Sequence, residues 1–241
     1  MGSLSIASLL ALGFVLGLKH AVDADHLAAV STMASERRSL LSSSLIGALW
    51  GLGHTISLVA AGIIVIVLHF QISETVKQSL EFCVGLMLVG LGLNALRKLA
   101  RGGYVHIHAH EHGGHVHAHP HVHPGLQKEA HKQEPHTHHG LRFGARPFLI
   151  GLVHGLAGSA ALMLLVLTTV TSPLVGLLYI GIFGAGSIGG MMIMSTLFAL
   201  PARFTAARFT RANLALRCLA GIFSLSFGFF MICQIGLSII S

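Results

Sequence analysis

Six apolar stretches run through this 241-residue chain, at roughly 4–33, 41–69, 79–99, 147–171, 173–199 and 214–240. A hydrocarbon core about 30 Å thick takes about 20 residues of helix to cross, and most of these stretches exceed that. At that depth no water satisfies backbone N–H and C=O groups, so each segment must satisfy its own, as a helix does. The expected fold is all-α and integral to the membrane, with six transmembrane helices. Composition fits the packing this needs: 53% of residues are hydrophobic, 10% are charged and 29 are glycine. Glycine lets helices approach closely in lipid. No sizeable soluble domain remains. The N-terminus has no basic region ahead of its apolar run, so the first segment reads as a retained helix, not a cleaved signal.

Charge orients the chain. The net charge of +7 could point to nucleic acid, but its placement argues for a bilayer and against a nucleic-acid partner. Arg37 and Arg38 follow the first span. Arg97, Lys98, Arg101, Arg142 and Arg146 flank the region between the third and fourth. Arg203, Arg208, Arg211 and Arg217 lie between the fifth and sixth. With six spans, all three basic loops fall on one side, which the positive-inside rule makes cytoplasmic. Both termini then face outward, as in a multi-pass protein of a bacterial inner membrane. Cys83, Cys218 and Cys233 all fall in expected spans and give no disulfide framework or zinc-finger spacing.

The chain divides into residues 1–101, a hydrophilic insert at 102–146, and residues 147–241. The insert holds thirteen of the eighteen histidines, many in alternation, as in His115-Val-His117-Ala-His119. Its polarity and its Gly and Pro content predict a disordered cytoplasmic loop. The flanking parts resemble each other. Phe14-Val-Leu-Gly17-Leu-Lys-His20 aligns with Phe148-Leu-Ile-Gly151-Leu-Val-His154. Trp50-Gly51-Leu-Gly53-His54 aligns with Phe183-Gly184-Ala-Gly186-Ser187, and Val84-Gly85 with Ala220-Gly221. Three spans per half is an odd number, so the expected arrangement is a 3+3 inverted repeat, with a substrate site near the midplane.

Both aspartates of the chain lie in one stretch, His20-Ala-Val-Asp23-Ala-Asp25-His26, within the first apolar segment. Ionisable groups at that depth are costly and mark function. Imidazole and carboxylate together suit a divalent cation such as Ni2+, Co2+, Zn2+ or Mn2+. On a continuous helix at about 100° per residue, His20, Asp23 and His26 share an arc of about 120° and Asp25 points away. The first three are the expected ligands, and Asp25 an orienting or alternative one. Lys19 is placed to neutralise a carboxylate. His54, after Gly51 and Gly53, is expected to come close to the first helix as a ligand or its support. His154, the repeat equivalent of His20, is a further candidate, and His69 is expected at the interface. No Met or Cys lies in the stretch, which argues against Cu(I).

These residues resemble a known family. His20 to His26 matches the H-x4-D-H motif of nickel/cobalt transporters. Gly53-His54-Thr55 is similar to their second-helix motif. His154-Gly155-Leu-Ala-Gly158-Ser159 is similar to a fourth-helix motif of the shorter six-helix branch, the urease-accessory-type UreH transporters. The resemblance implies metal-site roles for His20, Asp23, Asp25 and His26, supported by His54. Two departures from the larger family, Ser31-Thr32 in place of Asp-Asn and six spans in place of eight, place the chain nearer the short branch.

The expected function is membrane uptake of Ni2+, with Co2+ the alternative ion. The ion is cargo; no resident cofactor is expected, and a cytoplasmic metallochaperone is a candidate recipient. No Walker A sequence occurs, so the chain is not expected to hydrolyse ATP. The rival readings are an exporter on the same scaffold, an intramembrane metal-dependent hydrolase, and a storage protein using only the His-rich insert.

Overall fold

The computed structural model describes residues 5–35, 39–68, 73–101, 144–157 and 172–240, and the backbone of 105–112 and 115–122. Seven helices lie among them: α1 (Ile6–His20), α2 (Ala24–Ser35), α3 (Leu40–Gly62), α4 (Glu74–Ala100), α5 (described over 144–157), α6 (Pro173–Arg208) and α7 (Thr210–Ile240). Four are long and apolar enough to cross a bilayer, namely Leu40–Val67, Glu74–Ala100, Pro173–Thr205 and Arg211–Ser238. A fifth is added if α1 and α2, bent by 56°, count as one span. The protein is thus a multi-pass membrane protein whose embedded part is helical. The expected span at 147–171 lies partly outside the described residues, as do Arg37, Arg38, His69 and Arg142.

Two expectations change. The first apolar segment is not one straight helix. It breaks at Ala21–Asp23, where the Val22 and Asp23 N–H groups donate back to Lys19 O (2.9 Å) and His20 O (3.1 Å). Neither Gly nor Pro causes the break. Lys19 and His20 complement the C-terminal end of the α1 dipole, and Asp23 and Asp25 the N-terminal end of α2, so charge favours two helix termini here. The insert is not wholly irregular either. Strands β1 (Val105–His112) and β2 (His115–Val122) form an antiparallel hairpin whose register pairs His106 with His121, His108 with His119, His110 with His117 and His112 with His115. Alternation at period two is a strand pattern.

Helix packing rests on close backbone approach. A Cβ on Gly17 of α1 would strike the Phe183 carbonyl of α6, and one on Gly186 would strike the Phe14 carbonyl of α1. The same reciprocity joins α3 to α5: Gly53 faces the Phe148 carbonyl and Gly151 the Trp50 carbonyl. Gly51 faces Ile188 of α6. The expectation that Gly51 and Gly53 seat their helix on the first one is therefore corrected to α6 and α5. Helices α4 and α7 pack through Gly85 against Gly228 and Gly92 against Gly221. Hydroxyls tie these crossings: Thr55 Oγ1 donates to Gly184 O (3.2 Å), Ser187 Oγ to Gly17 O (3.3 Å) and Ser224 Oγ to Leu88 O (2.9 Å). In lipid such contacts replace the hydrophobic drive that holds soluble helices together. The three cysteines are free and none is fully buried.

Candidate metal centre

The break lies between two short helices of 15 and 12 residues, which together are apolar enough to make one bent span or a re-entrant loop. Four helices supply the side chains there. His20 ends α1, Asp23 lies in the break, Asp25 and His26 open α2, His54 lies mid-way along α3, and His154 comes from α5. Five of the six sequence candidates converge, all but Asp23, which flanks them through His20. Ring centroids separate His20 from His26 by 4.4 Å, His20 from His54 by 5.2 Å, His26 from His54 by 5.2 Å and His26 from His154 by 4.3 Å.

The two carboxylates hold roles that a straight helix does not allow. Asp23 Oδ2 pairs with His20 Nδ1 at 2.7 Å, and its side chain is 51% exposed. It sits beside the His20 imidazole and outside the buried cluster. Asp25 turns inward. Its Oδ1 accepts the His26 N–H (2.9 Å) and its Oδ2 pairs with His154 Nε2 (2.9 Å). The break exchanges the expected orientations of the two aspartates. Each carboxylate fixes the ring of one imidazole, as acidic partners do around metal-bound histidine. Lys19 is exposed and forms no ion pair with either aspartate among the described residues.

Burial makes the set chemically unusual. His26 and His54 are 0% exposed and His154 is 1% exposed. Both ring nitrogens of His26, both of His54, and Nδ1 of His154 have no hydrogen-bond partner among the described residues. Buried polar atoms in this state are normally satisfied, so five unsatisfied nitrogens in one spot call for a ligand. A divalent cation fits the donor set. The ligand atoms of His20, His26 and His54 lie within 4.8 Å of one another, as do those of Asp25, His26 and His154. Ligands of a tetrahedral ion with bonds of about 2.0–2.1 Å stand about 3.3 Å apart, inside the 4.8 Å limit that each group meets.

Sequence reasoning missed the walls. Trp50 places its ring 5.3 Å from His26 and 5.7 Å from His154, and Phe183 lies 5.4 Å from His20. Trp50 precedes His54 by one helical turn, the spacing that puts two residues on one face. That spacing and its being the only Trp were the available signals.

Over 240 residues the chain is 38% identical to the urease accessory protein UreH of Bacillus sp. (strain TB-90), covering 99% of this chain and 96% of that one. It is 27% identical over 184 residues to the chloroplast protein FOR GROWTH AND FERTILITY 1 of Arabidopsis thaliana, covering 74% of this chain and 46% of that one. No family model matches the chain, and no solved structure matches it.

Proposed function

The chain belongs to the UreH family of urease accessory proteins, and from that premise we propose that it carries Ni2+ into the cell, with Co2+ as the second candidate ion. The family is one of accessory proteins and not of enzymes, which sets aside the intramembrane hydrolase. The observation that carries the reading is the convergence of His20 with the buried His26, His54 and His154, five of whose ring nitrogens have no partner among the described residues. Imidazole nitrogen suits Ni2+ and Co2+ well. A storage protein has no use for such a set at mid-span. The UreH designation fits delivery of metal for urease assembly, with a cytoplasmic metallochaperone as recipient.

The transport path we propose uses a 3+3 inverted repeat. Its support is the glycine contacts. If α1 corresponds to α5 and α3 to α6, then Gly17 on Phe183 corresponds to Gly151 on Trp50, and Gly186 on Phe14 to Gly53 on Phe148. The crossings therefore exchange under the same alignment that relates the sequences. Rocking of one half against the other exposes the cluster alternately to each side. A negative-inside potential favours entry of a divalent cation by about 4.6 kcal/mol at 100 mV. On this reading the protein sits in a bacterial inner membrane with the His-rich insert in the cytoplasm and both termini outside, and the Arg and Lys of the loops between expected spans support that orientation. Ligation requires neutral imidazole, so acid opposes binding.

The test is accumulation of Ni2+, Co2+, Zn2+ and Mn2+ by cells expressing the wild type or His26→Ala. The expected result is uptake of Ni2+ or Co2+ that His26→Ala abolishes at equal membrane abundance. Faster loss of preloaded metal from wild-type cells, with no uptake, would instead favour the exporter, for which a cytoplasmic His hairpin would collect the ion.

A further inference from the structure

The cluster contains two three-ligand groups, and they overlap in one residue. His20, His26 and His54 form one; Asp25, His26 and His154 form the other. His26 stands between them, with its ring centroid 4.4 Å from that of His20 and 4.3 Å from that of His154. Both of its nitrogens are buried without a hydrogen-bond partner among the described residues. An imidazole carries two nitrogens that point different ways, so this ring can face both groups. The other members come from different helices: His20 and His54 from α1 and α3, Asp25 and His154 from α2 and α5.

Resting on the transport reading above, we infer that the centre is a two-position relay. One ion alternates between a His20–His26–His54 position and an Asp25–His26–His154 position, with His26 supplying one nitrogen to each. The first position offers three nitrogens, the second two nitrogens and an oxygen. Each leaves coordination open for water. The Asp25–His154 contact of 2.9 Å closes the second position until the ion takes it. Transport needs binding tight enough to admit an ion and divided enough to release it, a condition that several overlapping sites meet better than one deep site. Because α5 brings His154 and α1 brings His20, movement of α1 relative to α5 changes which position is closed around His26.

The relay is tested on the purified full-length protein in detergent, with Co2+ as the probe. Ligand-field absorption and X-ray absorption at one equivalent report the ligands. His26→Ala serves as the blank that removes metal held by the His-rich insert. His54→Ala leaves only the second position and His154→Ala only the first. Both should still bind Co2+, with Kd raised about twofold if the positions are equal and about elevenfold if the deleted one was tenfold better. His154→Ala should show three imidazoles, and His54→Ala two imidazoles with a carboxylate oxygen. His26→Ala should fall to background, and neither single-position variant should transport. Should an alanine variant aggregate, His54→Gln and His154→Gln, which keep more of the side-chain volume, carry the same measurement. If both single-position variants lose Co2+ as completely as His26→Ala, the centre is one undivided site and the relay is wrong, while wild-type uptake still supports transport. A wild type that accumulates none of the ions in cells overturns the transport reading itself.

Discussion

Asp23 separates two accounts of the centre. A straight helix makes it a ligand; the break makes it a partner of His20. Its Oδ2 lies 2.7 Å from His20 Nδ1, and its side chain is half exposed. With His20 Nδ1 so engaged, Nε2 is the nitrogen turned to an ion. Asp23→Asn keeps an oxygen that can accept from Nδ1–H, so the tautomer survives while the negative charge is lost. Partners of this kind contribute a factor of about 10 to 100 in metal affinity, or about 1.4 to 2.7 kcal/mol. The amide should fall at the lower end and Asp23→Ala at the upper end. Fold stability should barely change, because an exposed pair contributes at most about 1 kcal/mol. The assay is the initial rate of Ni2+ uptake against concentration, with membrane abundance controlled. Asp23→Asn should raise the half-saturating Ni2+ about tenfold and leave the maximal rate nearly intact. An inserted Asp23→Asn protein that is inactive even at saturating Ni2+ would show that Asp23 ligates the ion directly and that the role assigned to the helix break is wrong.

Three further outcomes are expected. Gly17→Ala pushes a methyl into the Phe183 carbonyl and should lower stability in detergent by about 1–3 kcal/mol or more, while Gly181→Ala, which meets open space, should not; equal thermal shifts would refute the close-approach account. Cysteine labels in the His-rich insert should react only from the cytoplasmic side and labels at the termini only from outside; labelling of the insert on intact cells would invert the topology. Replacing residues 106–139 with a Gly/Ser linker should preserve transport but change its dependence on metal concentration, and complete loss of transport would move the essential ligands into the insert.

The apolar runs made the helices legible because backbone satisfaction in lipid leaves few alternatives. The six candidate residues stood out too, as ionisable side chains in such runs, and the structure brings five of them together with Asp23 at the edge. Their mutual placement was not. The break at Ala21–Asp23 contains neither Gly nor Pro, and its signal is electrostatic: Lys19 and His20 ahead of it, Asp23 and Asp25 after it. The 100° rule carried across that break put Asp23 inside and Asp25 outside, the reverse of what the turn does. Gly51 and Gly53 announced close approach, but a small residue does not specify which helix fills the space it leaves. In the insert, alternating His on both sides of Gly113-Gly114 is a hairpin pattern as well as a polar one. Polarity alone pointed to disorder.

The unsatisfied nitrogens set a final expectation that does not depend on transport. Burying a polar group without a partner costs about 1–3 kcal/mol, and His26 and His54 each bury two such atoms. The ion-free centre is therefore a weak point in an otherwise closely packed crossing, and an ion that binds it adds stability by mass action. At a free concentration about 100 times Kd the gain is about 2.7 kcal/mol. For a chain of this length each kcal/mol moves the melting temperature by about 2–4 °C, so the shift should be about 5–10 °C. Thermal unfolding of the purified protein, with and without Ni2+ or Co2+, reads it directly. Mg2+, which prefers oxygen ligands, should give no comparable shift. His26→Ala should abolish the effect, because His26 belongs to both ligand groups, while Asp23→Asn should move it to higher metal concentration without removing it. A shift that persists in His26→Ala would mean that the stabilising ion binds elsewhere, with the His-rich hairpin as the next place to look.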